Sequence, residues 1–238
     1  MKQQRIAELD CVLAGGDDGD GGGDGPMIVL LHGFGAGGDD LVALADWIDA
    51  PAGTRWVFPA GPLTMPPLYG DARAWWMIDL ERLERELASG RPADRAAEVP
   101  EGLAAARTAV LGLLDALARD HRRRDDAFVL GGFSQGAMLS VDVALHGARP
   151  RGLVLLSGTL VAEVEWRQHV AALAGLRVFQ SHGTKDGLLS FAGADKLHAF
   201  LVEGGAEVAF VPFPGGHEIP PPVLELVEDF LPHALAPR

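Results

Sequence analysis

Ser134 sits in Gly132-Phe133-Ser134-Gln135-Gly136, between the apolar run that ends at Leu130 and a segment with helical character. A strand-to-helix turn tight enough to present a serine hydroxyl leaves no room for side chains two places before and two places after it, and Gly132 and Gly136 meet that demand. The turn would lift the hydroxyl clear of a sheet and aim the Gln135 N–H at a reacting carbonyl oxygen. A serine hydroxyl is a weak nucleophile at neutral pH. It needs a base within hydrogen-bond reach, and the base needs a carboxylate to fix its tautomer.

In parallel sheets with helical crossovers, ligands gather at the carboxyl ends of strands, so these partners should follow strands rather than lie in helices. Among the downstream histidines, His146, His169, His198 and His233 fall in helical patterns or at the chain end. His217 follows the last strand in a Pro-Gly-Gly turn. His182 also follows a strand, but it precedes the acid, and enzymes that present serine in this way run Ser, acid, His along the chain. Asp142 and Asp195 lie on helical stretches, whereas Asp186 lies just beyond a strand. Ser134, Asp186 and His217 are therefore the expected nucleophile, orienting acid and base of an acyl transfer. The oxyanion formed in such a reaction needs preorganised N–H donors, each worth roughly 3 kcal/mol. Gln135 supplies one and Phe34, in His32-Gly33-Phe34-Gly35, the other, while His32 reads as a residue that holds this loop.

The elements that must position these groups follow from periodicity. Residues 6–13 read as a strand, and residues 15–25, almost all Gly and Asp, as a surface turn without an EF-hand spacing. Continuous apolar runs mark buried strands at 27–31, 55–58, 127–130, 152–156, 176–180 and 206–211. Helices alternate with them: one from Asp39 or Asp40 through Ile48, one at 103–117, one after Ser134, a weak one at 164–173, one carrying Phe191 to Leu201 and a last one entered through Pro220 to Pro222. The expected fold is α/β, with a mainly parallel sheet covered on both faces, in one domain over residues 1–238. Residues 62–100 interrupt the alternation with Pro62, Pro66 and Pro67 and form a lid-like insertion. Within it Leu63, Met65, Leu68, Tyr69, Trp75, Trp76 and Met77 are candidates for an apolar substrate wall.

Composition narrows the partners. A formal charge of −13 disfavours nucleic acid and anionic membrane surfaces. Arg122-Arg123-Arg124 reads as a solvated helix end. The lone Cys11 forms no intrachain disulfide, and a reducing, cytoplasmic location is expected. No apolar stretch reaches membrane-spanning length, so stable membrane insertion is not expected. A homodimer is left open.

A second reading exists. Gly33-Phe34-Gly35-Ala36-Gly37-Gly38 also fits the dinucleotide fingerprint of an oxidoreductase. The ribose-binding carboxylate expected at the end of the next strand is replaced by Pro59-Ala60-Gly61, and Asp49 lies before that strand. A binding module on the same fold, without activity, is the third possibility.

With these residues in place, the sequence from about residue 27 to 231 resembles the phospholipase/carboxylesterase family of α/β-hydrolases, which includes acyl-protein thioesterases. The matching pieces are Leu31-His32-Gly33-Phe34-Gly35, Phe58-Pro59-Ala60-Gly61-Pro62, Gly132-Phe133-Ser134-Gln135-Gly136, His182-Gly183-Thr184-Lys185-Asp186 and Gly216-His217-Glu218-Ile219. The resemblance implies a carboxylesterase that hydrolyses small esters without a cofactor through Ser134, Asp186 and His217, with thioesters and lysophospholipids as alternative substrates. One departure is local: Trp75-Trp76 is followed by Met77-Ile78-Asp79, where the family commonly places Asp directly after an aromatic pair.

Overall fold

The computed structural model describes residues 1–90, 92, 94–124 and 127–236. Strands β1 (Lys2–Ile6) and β2 (Leu9–Gly16) form an antiparallel hairpin in which Ile6 pairs with Leu9. The strand expected over 6–13 begins at Leu9 instead, and an unexpected strand precedes it, because Ala7, at φ 52°, reverses the chain. The Gly/Asp segment is also more ordered than expected. It contains β3 (Asp20–Gly22), and Asp18 Oδ1 accepts the N–H groups of Asp20 and Gly22.

The chain continues through β4 (Met27–Leu31), α1 (Leu44–Trp47) and β5 (Arg55–Pro59). Residues 62–100 follow, with β6 (Leu63–Thr64), β7 (Arg73–Ala74) and α2 (Leu80–Ser89); residues 91 and 93 lie outside the described residues. Next come α3 (Leu103–Asp120), β8 (Phe128–Phe133), α4 (Gln135–Leu145), β9 (Gly152–Leu156) and α5 (Glu163–Arg167). The chain ends with β10 (Arg177–Gly183), α6 (Phe191–Glu203), β11 (Glu207–Phe213) and α7 (Pro221–Leu235).

Nine strands make one sheet in the order β1-β2-β5-β4-β8-β9-β10-β11, with β3 beside β2. From β5 to β11 every pairing is parallel. The apolar runs explain this arrangement: every residue of β4, β5 and β9 is buried, so both faces need a cover. Ile28, Leu30, Val129, Val154 and Leu156 pack with Leu44 of α1 and Val223 and Leu231 of α7 on one face. Met27, Val29, Leu130, Leu153 and Leu155 pack with α3, α4 and α6 on the other. Alternate side chains of each strand thus feed opposite cores.

Two helices are shorter than periodicity suggests. Residues 39–43 form turns, and Asp39 and Asp40 cap nothing, since α1 starts at Leu44 without a side-chain cap. The weak helix over 164–173 divides into α5 and a 3-10 turn over Val170–Leu173. In the insertion, Asp79 Oδ1 accepts the Arg82 N–H at 2.9 Å and so caps α2, which gives the displaced acid after Trp75-Trp76 a local structural job.

Candidate active site

Ser134 joins the end of β8 to the start of α4. Its backbone is held at φ 54°, ψ −114°, a conformation that costs a non-glycine residue about 1–3 kcal/mol and persists only where its surroundings impose it. Those surroundings are the end of β4. A Cβ on Gly132 would lie 2.3 Å from the Leu31 carbonyl oxygen, and one on Gly136 2.0 Å from the same atom. Two glycines are therefore required by a backbone that approaches the turn from the neighbouring strand. Ser134 N–H donates to Leu156 O at 2.8 Å, which ties the turn to β9. The Ser134 hydroxyl, although at a helix N-cap, caps no helix N–H.

The acid and the imidazole meet beyond β10 and β11. Gly183 allows the approach, since a Cβ there would stand 2.1 Å from Gly216 O in the loop that carries His217. His217 Nδ1 lies 2.7 Å from Asp186 Oδ2, and Leu188 N–H and Leu189 N–H donate to Oδ1 at 2.8 and 2.9 Å. Burial alone would push the Asp186 carboxyl up, but the hydrogen bonds from His217, Leu189 and Leu188 together hold it below the ordinary carboxylate range. An anionic partner on Nδ1 leaves Nε2 as the nitrogen free to exchange a proton. The imidazole packs against the ring of Phe133, the residue before Ser134, with centroids 4.7 Å apart.

The loop after β4 is held from three sides. Gly61 N–H donates to His32 Nε2 at 2.8 Å, so the proton is on Nδ1, which lies 2.7 Å from Gly33 O. Burial pushes the His32 pKa down and keeps this tautomer neutral. Arg73 of β7 pairs with the loop through Gly35 N–H to Arg73 O and Arg73 N–H to Ala36 O, each 2.9 Å. The Phe34 ring packs on Met65, Ala72 and Ala74. Trp75 Nε1–H donates to His32 O at 3.0 Å. Among the described residues, no acceptor takes the N–H of Phe34 or of Gln135.

The expected substrate wall divides. Trp75 and Trp76 are 1% and 3% exposed and belong to the main core; Met65 is buried beneath Phe34. Leu68 is 90% exposed, and Leu63, Tyr69 and Met77 are also open to solvent. A cavity of about 530 Å³ lies nearby, between the N-terminal hairpin and the insertion, but its walls are Arg5, Asp10, Gly38, Ala60, Thr64 and Arg73 among others, and none of the seven expected residues lines it. The Trp75 indole is drawn inward by its hydrogen bond to His32 O, and both tryptophans by the large apolar area of the indole.

Two groups at the site carried no sequence signal of their own. Ser157, fully buried at the end of β9 with φ 54°, donates its hydroxyl to Glu218 O at 3.3 Å and braces the His217 loop. Nothing in its neighbours marks it. The Gln135 side chain bonds the backbone of Trp75 and Trp76, a contact made across the fold.

The dinucleotide alternative does not fit this geometry. The fingerprint needs a helix N-terminus directly at the glycine loop to receive a pyrophosphate, whereas turns fill residues 39–43 and α1 has only four residues. Among the described residues, no group of three His, Cys, Asp or Glu side chains converges on a metal position, and no helix is long and apolar enough to cross a membrane.

Comparison with known proteins agrees with the architecture. The family model described as Phospholipase/Carboxylesterase matches residues 23–235. Acyl-protein thioesterase 1 of Eremothecium gossypii is 29% identical over 200 residues, covering 71% of this chain and 70% of that protein. The crystal structure of esterase PE8 superposes with a TM-score of 0.75 at 25% identity, covering 95% of this chain and 99% of the other. A carboxylesterase from Mesorhizobium loti gives 0.75 at 24% identity, with 97% of each chain covered. With its mostly parallel sheet, helices on both faces and a match over nearly its whole length, the chain belongs to the phospholipase/carboxylesterase family of α/β-hydrolases, enzymes that hydrolyse esters.

Proposed function

We propose that the protein is a serine carboxylesterase that works through an acyl-enzyme on Ser134. The observation that carries this reading is the His217–Asp186 pair, 2.7 Å apart, packed on the residue next to a strained serine whose hydroxyl caps nothing. In this mechanism His217 Nε2 takes the Ser134 proton as Oγ attacks the acyl carbon. The Phe34 and Gln135 N–H groups receive the developing oxyanion, the second from the start of α4, where the helix dipole adds favourable potential. Protonated His217 then gives its proton to the leaving alcohol, and water, activated by the same imidazole, releases the acid and restores Ser134. Asp186 holds the imidazole in the Nδ1–H tautomer and stabilises the imidazolium. Residues 62–100 form the substrate-facing part of a single catalytic domain, with Leu63, Leu68, Tyr69 and Met77 as its open apolar contacts.

A fluorophosphonate probe tests the reading. A mass increase confined to the peptide that contains Ser134 is expected, and an unmodified peptide after prolonged exposure would sink it. Thioester hydrolysis is the second reading, favoured by the named thioesterase relative. The same serine and imidazole would serve, so rates on an oxyester, a thioester and a lysophospholipid of one acyl chain decide the preferred leaving group.

A further inference from the structure

His182 occupies the end of β10, four residues before Asp186, and is fully buried. Its Nε2 lies 2.9 Å from Leu189 O and 3.3 Å from Asp186 Oδ2. Both neighbours are acceptors, so Nε2 must carry a proton, which it donates to Leu189 O, with the Asp186 carboxylate in close electrostatic contact. Leu189 is thereby gripped at both ends: its N–H donates to Asp186 Oδ1 and its carbonyl accepts from His182. His182 holds Leu189, Leu189 holds Asp186 Oδ1, and the imidazole stands 3.3 Å behind Oδ2, which is thereby turned toward His217 Nδ1.

The geometry points to His182 as a positioning residue of the active site, a neutral Nε2–H imidazole that fixes the rotation of the Asp186 carboxylate. The assignment rests on the esterase reading for its catalytic consequence, but not for the tautomer. Burial is the dominant influence on this imidazole and keeps its pKa below the ordinary value, against the Leu189 carbonyl, the charge of Asp186 and the Gly158 carbonyl, which all favour protonation. His217 is the other titratable group that bears on it, and the Phe191 ring of α6 covers its side at 6.3 Å. The opposite nitrogen, Nδ1, is buried and makes no hydrogen bond of normal geometry.

Two measurements test the assignment. In ¹⁵N-histidine-labelled wild-type protein, with the signal assigned through a His182 variant, His182 is expected as the neutral Nε2–H tautomer at pH 7; an Nδ1–H tautomer or an imidazolium would overturn it. His182→Phe removes the donor at similar size, and its kcat on a p-nitrophenyl ester should fall on the order of 10- to 100-fold, the usual cost of losing a group that orients another, with KM within about two-fold. His182→Gln can return an amide N–H to the Nε2 position and should recover most of that loss. Wild-type kcat in the Phe variant, or equal losses in both variants, would overturn the assignment. Thermal melts establish that the variants are folded, and where the Phe variant is not, the wild-type tautomer decides. Failure of the wild-type enzyme to take up fluorophosphonate would remove the esterase reading while leaving the tautomer result intact.

Discussion

The side-chain carbonyl of Gln135 accepts the backbone N–H of Trp75 at 2.9 Å. Its Nε2 donates to Trp76 O at the same distance, so the residue after Ser134 is tied by its side chain to the insertion. Only a side chain with both a donor and an acceptor can do this; Glu would present two acceptors to a carbonyl. Gln135→Leu strands two buried backbone groups, each worth about 1–3 kcal/mol, and should lower the urea unfolding free energy accordingly. Unchanged stability would show that the clamp is idle.

Replacing Ser134 with Ala should reduce kcat for ester hydrolysis by a factor on the order of 10⁶ and leave the fold intact, since the proposed reaction loses its nucleophile. A folded variant that keeps most of the activity would refute the role of Ser134. Circular dichroism and a steady-state assay are sufficient.

His32 makes acid sensitivity predictable. Its folded-state pKa is lowered by burial, so below about pH 6.5 the unfolded chain binds the extra proton and the folded chain resists it. The stabilisation it contributes is complete above that pH and is lost as pH falls, at up to about 1.4 kcal/mol per pH unit. Asp142, buried with a raised pKa, acts in the opposite sense, but it is common to wild type and variant. Urea titrations of wild type and His32→Gln between pH 7.5 and 5 should therefore show the wild-type advantage shrinking with acid. A constant difference would mean that His32 does not titrate in this way.

Glycine substitutions should divide by what surrounds them. A Cβ on Gly136 would meet backbone at 2.0 Å, and Gly136→Ala should destabilise by about 3 kcal/mol or more. Gly112, on the exposed face of α3, has nothing within 4 Å, so Gly112→Ala should stabilise by roughly 0.4–1 kcal/mol. Differential scanning calorimetry of the two variants reads both signs, and matching signs would contradict the account.

Much of the fold was legible because its signals are local. The five-residue apolar runs at β4 and β9 have no polar face to offer solvent, and they do lie inside the sheet. The last helix begins after Pro220 as its proline cluster predicts. Failures came where local pattern and long-range pairing conflict. The apolar residues Ile6, Leu9, Val12 and Leu13 suggest one strand over 6–13, yet a turn at Ala7 lets Ile6 and Leu9 pair across it. Leu41, Leu44 and Ile48 keep helical spacing although only four residues between them form a helix, because burial against β4 and β5 needs the spacing and not the continuous helix.

The amino-acid sequence by itself determined the order of the central strands and their helices from residue 27 onward, the glycine-flanked serine and the positions of Asp186 and His217 beyond strand ends, since these follow from side-chain periodicity and from turns a few residues long. Tertiary structure alone decided that the indoles of Trp75 and Trp76 go into the core, that Ser157 braces the loop of His217, and that His182 stands behind Asp186. Those contacts join residues whose separation along the chain carries no regular pattern, and only the packed sheet brings their polar atoms within bonding distance.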